Sequence, residues 1–107
     1  MPLNLTSDTS HLLCIDLQDG FHDDTVRIRV NNQLLAEKEN VTSSPLTGIA
    51  TYLETTVQGT FRLEVAVVSQ GLTTQKTMQI ATDTYVGVSI MAGRLDVIIR
   101  QEPFGYG

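Results

Sequence analysis

The sequence predicts an all-β fold, a single-domain antiparallel β-sandwich of about seven to eight strands, on three observations. Apolar and polar residues alternate in short runs, stripes with helical spacing are missing, and the runs are separated by Gly, Asn, Asp and Ser. A period of two sends successive side chains to opposite faces of a sheet, so each run has one face to bury. At 107 residues the chain has the size of one domain, with 1–9 and 102–107 expected as terminal extensions.

Strands are expected near 11–17, 25–30, 33–40, 47–57, 60–69, 73–82, 84–91 and 94–101. Between 25 and 30, Val26, Ile28 and Val30 alternate with Arg27 and Arg29, which sets three β-branched residues inward and both arginines outward. Asn31-Asn32 then supplies a tight turn, since Asn tolerates left-handed geometry, and would pair Ile28 with Leu35. The next run, Gln33 to Val41, contains Leu, Ala, Glu and Lys that favour helix intrinsically, but it is too short to stand alone as one. Pro45 is expected to open the fourth strand, where a missing amide donor does no harm. In the fifth, Phe61, Leu63, Val65 and Val67 share one face, while Ala66 and Val68 make part of the other face apolar. At Gln58-Gly59 a hairpin loop of odd length is expected, because only that parity turns Leu53 and Val57 inward with Val65 and Phe61. The last hairpin pairs Val86 with Ile99, Val88 with Val97 and Ile90 with Leu95. A four-residue loop with Gly93 left-handed suits it better than a two-residue turn, which would force Ala92 to positive φ.

Composition bounds the function. Hydrophobic residues at 41% against 18% charged place the chain among folding globular sequences. A net charge of −5 without any Lys/Arg cluster disfavours nucleic acid and anionic membrane surfaces, and no segment is suited to membrane insertion. The single Cys14 excludes an intrachain disulfide and reads as a small core residue. The stretch Met1 to Thr6 lacks a basic, then apolar, leader pattern, so a cytoplasmic location is the default expectation. Asn4 and Asn40 open Asn-x-Thr sequons, which matter only in a glycosylating host.

From Val26 to Val68 the chain has a rhythm: a β-branched strand, the Asn31-Asn32 turn, the Thr42-Ser43-Ser44 connection, Gly48-Ile49-Ala50, then the hairpin at Gln58-Gly59. This resembles prealbumin-like and carboxypeptidase-regulatory-like modules. The resemblance implies a sandwich of immunoglobulin-like or prealbumin-like type, often a binding or spacer module, and transfers no functional residue.

The densest polar constellation is Asp16, Asp19, His22, Asp23 and Asp24 around Gly20. Asp16, Asp19, Asp23 and Asp24 are oxygen donors of the kind that hold Ca²⁺, although their spacing is not that of an EF-hand and such residues also build ordinary turns. His11 and Cys14, three apart, point to opposite faces of a strand and do not share a metal. No Gly-x-Ser-x-Gly elbow, His-Glu-x-x-His pair or phosphate-binding glycine loop is present. In the tail, Phe104 and Tyr106 stand between glycines and would cover the sandwich or dock on a partner. Ala66, Val68 and Ile98 are outward apolar positions suited to an interface beside the threonine-rich strands. Tyr52 and Tyr85 are expected at the core edge with satisfied hydroxyls. The leading expectation is a non-enzymatic module that binds a protein partner or forms a homo-oligomer without a cofactor. The alternatives are a carbohydrate- or Ca²⁺-dependent recognition domain using the Asp16–Asp24 loop, and a small hydrolase.

Overall fold

The computed structural model describes residues 10–105. Eight strands run through them: β1 (His11–Leu17), β2 (Asp24–Val30), β3 (Gln33–Val41), β4 (Thr51–Val57), β5 (Thr60–Val67), β6 (Leu72–Gln79), β7 (Thr84–Met91) and β8 (Arg94–Arg100). They form two four-stranded sheets packed face to face, the first in the order β4-β1-β7-β8 and the second β3-β2-β5-β6. The chain is an all-β sandwich. No helix among the described residues is long and apolar enough to cross a membrane.

Alternation builds the core as expected. Leu13, Ile15, Leu17, Val86 and Val88 of the first sheet are fully buried against Val26, Ile28, Phe61, Leu63, Val65 and Val67 of the second. Each such side chain contributes about 1.5–3 kcal/mol when removed from water. Phe21, between β1 and β2, adds its ring to the same cluster. Arg27 and Arg29 point outward and meet Glu37 and Glu64. The Gln33–Val41 run is a strand throughout, because pairing with β2 supplies hydrogen bonds and burial that an isolated short helix would lack.

Several connections differ from expectation. The Asn31-Asn32 turn is present, with φ of 52° and 68°. It is held to β5 by the Arg62 amide donating to Asn31 Oδ1 (3.0 Å) and the Arg62 guanidinium donating to Asn32 Oδ1 (2.8 Å). Yet Ile28 faces Ala36 rather than Leu35, because a bulge between Ile28 and Arg29 places one extra residue on β3. Gln58-Gly59 closes no hairpin: β4 pairs with β1 and β5 with β2 and β6, so the chain crosses there from one sheet to the other. Leu53 and Val57 still face the core, since their alternation is independent of the neighbouring strand. Pro45 lies in a turn closed by the Gly48 amide on the Ser44 carbonyl (2.9 Å), and the strand begins only at Thr51.

The final hairpin has the expected register, Val86 to Ile99, Val88 to Val97 and Ile90 to Leu95. Its loop is nevertheless the tight two-residue turn, with Ala92 at φ 53° and Gly93 at φ 77°. Twist compatibility with the flanking strands outweighs the left-handed strain at Ala92. One pair departs from the antiparallel pattern: β1 runs parallel to β7, Ile15 beside Val86.

Candidate functional site

The acidic loop is the first place to look for chemistry. Asp24 is 3% exposed, and its carboxylate accepts hydrogen bonds from Ser69 Oγ (2.6 Å), Gln70 Nε2 (3.1 Å to each oxygen) and the His22 amide (2.9 Å). Burial alone would raise its pKa, but the bonds from Ser69, His22 and Gln70, with the nearby His22 ring, together hold it below the ordinary carboxylate value. Asp24 thus ties the 3-10 turn Val68–Gln70 to the start of β2. Asp23, at φ 53°, accepts from Asn40 Nδ2 (2.6 Å) while its amide donates to Thr42 Oγ1 (2.9 Å). Asp19 receives Ile90 N–H on its carbonyl (2.8 Å) and donates its amide to Ser89 Oγ (3.2 Å). Asp16 is buried on the outward side of β1 and accepts from the Cys14 thiol (3.5 Å). The four aspartates are therefore divided between a sheet face and separate loop contacts. Among the described residues no group of three or more His, Cys, Asp or Glu side chains is arranged to hold a metal ion.

Gly20 explains why this loop is so tightly set. At φ 90° it lies against β7, where a Cβ would stand 2.1 Å from the Ile90 carbonyl oxygen. The Phe21 amide and carbonyl are both taken by Ser43, at 3.0 and 2.9 Å. No buried side-chain nitrogen or oxygen among the described residues lacks a hydrogen-bond partner.

The outward face of the first sheet is organised in rows that run across all four strands. Tyr52, Asp16, Gly87 and Ile98 form one row, and Glu54, Cys14, Tyr85 and Arg100 the next. Cys14 therefore points away from the inter-sheet core, although its neighbours bury it to 8% exposure. Burial, then the charge and hydrogen bond of Asp16, then the charge of Glu54 push its thiol up to about 12. A thiol so protonated is a poor nucleophile. The side-chain amide of Gln18 covers Gly87, where a Cβ would come within 2.6 Å of it. Tyr52 is 59% exposed, contrary to the expected core-edge packing, because its even position on β4 faces solvent.

The expected interface residues do not form one patch. Ala66 lies on the outward face of the second sheet and Val68 in the turn after β5, whereas Ile98 is on the outward face of the first, so the sandwich itself separates them. The threonines are divided likewise between β4 and β6. Phe104 packs under the Arg100 guanidinium, 5.1 Å from ring centroid to the charge. Tyr106 lies outside the described residues. His11 is 3.9 Å from Asp83 and apart from any shared site with Cys14.

The surface that the sequence flagged only at Ile98 is the β7–β8 hairpin. Met91, Ile98 and Ile99 are exposed there, and a cleft of about 450 Å³ opens between β6 and β8, lined by Phe61, Met78, Ile80, Thr84, Ile99 and Arg100. The Ile98-Ile99 pair was the available signal, since two consecutive β-branched residues on an edge strand cannot both face the core. No family model matches the chain, and no curated protein matches it either.

Proposed function

We propose that the chain is a non-enzymatic protein-binding module that works through its first sheet and associates with copies of itself. The observation that carries this reading is the gathering of exposed Met91, Ile98 and Ile99 on one edge hairpin, with Tyr52 in the same row as Ile98. Exposed apolar area concentrated on a sheet edge favours pairing with another chain. On the second sheet Arg27 and Arg29 are matched by Glu37 and Glu64, and the exposed apolar residues Leu34 and Val68 are set apart, one on β3 and one in the turn after β5.

Sedimentation velocity and amide hydrogen exchange, followed from micromolar to near-millimolar protein, test the reading. A rising mass with added protection on the first sheet is expected. A constant monomer mass, or protection confined to the second sheet, defeats it. Tyr52 beside Asp16 and Glu54 also favours a second reading, stacking of a sugar ring, which chemical-shift changes at Tyr52 on titration with oligosaccharides would support.

A further inference from the structure

We infer that two copies of this chain join through β8, antiparallel, in a single register centred on Ile98. This rests on the self-association proposed above and specifies its geometry. Among the described residues β8 is paired only with β7, and that pairing has no bulge, so its outer edge is straight and open. β3, an edge of the second sheet, is different: it carries two register shifts and the run Glu37-Lys38-Glu39, devices that discourage strand addition.

Hydrogen-bond parity and charge together select the register. In a two-residue hairpin the residues closing the turn, Met91 and Arg94, exchange both hydrogen bonds. Arg94, Asp96, Ile98 and Arg100 therefore aim their peptide groups at β7, leaving those of Leu95, Val97 and Ile99 for a new strand. A two-fold pairing must place these odd positions opposite one another, so it centres on a residue of β8. Centring on Val97 sets Arg94 against Arg100 of the second copy, and centring on Asp96 sets the two aspartates face to face; like charges directly opposite are destabilising. Centring on Leu95 pairs too few strand residues and leaves Ile98 and Ile99 uncovered. Centring on Ile99 overlaps only the strand end.

Centring on Ile98 satisfies every term. Asp96 then faces Arg100 of the second copy, twice by symmetry, and Ile98 meets Ile98 on the axis. All three fall at positions without mutual hydrogen bonds, where facing side chains are closest. Val97 and Ile99 pair through the backbone on the inward face, covering the exposed Ile99 at the mouth of the β6–β8 cleft. The two first sheets become one continuous sheet.

The test is a charge swap combined with cross-linking. D96R should weaken the dimer at least tenfold by sedimentation equilibrium, as should R100D, and the double variant D96R/R100D should recover most of it. With Cys14→Ser to remove the native thiol, Ile98→Cys should give a disulfide-linked dimer under mild oxidation, and Asp96→Cys should not. Thermal melts of each variant check that the monomer folds. Association that survives D96R unchanged, or that gives no Ile98→Cys cross-link, overturns this register while leaving self-association standing. A monomer at every concentration overturns both.

Discussion

The loop end around Gly20 and the edge hairpin β7–β8 invert the impression each makes in the sequence. The loop holds the densest collection of carboxylates, yet Asp24 and Asp23 are engaged in hydrogen bonds within the chain, and the Asp19 backbone is fastened to β7. The hairpin reads as an amphipathic pair with Ile98 alone turned outward, yet it leaves Met91 and Ile99 in water as well. A concentration of polar groups is a weak sign of a site when those groups complete one another. Surface that the fold leaves unmatched is the better sign.

Four substitutions, two of them paired with a control, would break or sharpen that contrast, here in falling order of their effect on stability. Gly20→Ala brings a Cβ into the Ile90 carbonyl at a left-handed φ, and should cost at least about 3 kcal/mol in chemical denaturation. Gly59→Ala is its control, since no atom beyond the adjoining residues lies within 4 Å of the added carbon, and only the φ penalty of about 1–2 kcal/mol should remain.

Asp24→Asn replaces an acceptor oxygen by a donor that faces other donors, and should cost about 2 kcal/mol at neutral pH. Because the folded pKa of Asp24 is depressed, its contribution is fully present above the unfolded value of about 3.9 and is lost as pH falls through the lower folded value. Urea melts from pH 7 down to pH 2 should therefore show the wild type and Asp24→Asn converging only in acid. A constant gap would mean that Asp24 acts through shape and not charge.

Ala92→Asn puts a residue tolerant of positive φ into the two-residue turn, and should gain about 0.5 kcal/mol, raising the melting temperature by about 3 °C. Ile98→Asp should leave monomer stability within about 0.5 kcal/mol of wild type while abolishing association, and Leu34→Asp on the bulged β3 should change neither. Equal effects of the two on association would erase the distinction between the edges.

How much of this was legible beforehand follows from what alternation encodes. It specifies which side chains turn inward, so the number of strands and their order along the chain, the inward faces of β2 and β5 and the register of the last hairpin could be read from residue order, while the strands expected over 47–57 and 73–82 are the shorter Thr51–Val57 and Leu72–Gln79. Asn31-Asn32 was equally local, because the left-handed conformation is a property of those residues. Alternation says nothing about which strand lies alongside. Backbone hydrogen bonds are nearly blind to side-chain identity, so the parallel β1–β7 pair, the crossing at Gln58-Gly59 and the one-residue bulge facing Ile28 were settled only when the two sheets packed. The same holds for Asp24, whose partners Ser69 and Gln70 lie more than forty positions away, and for β8, which became an open edge only when the sheet order was set.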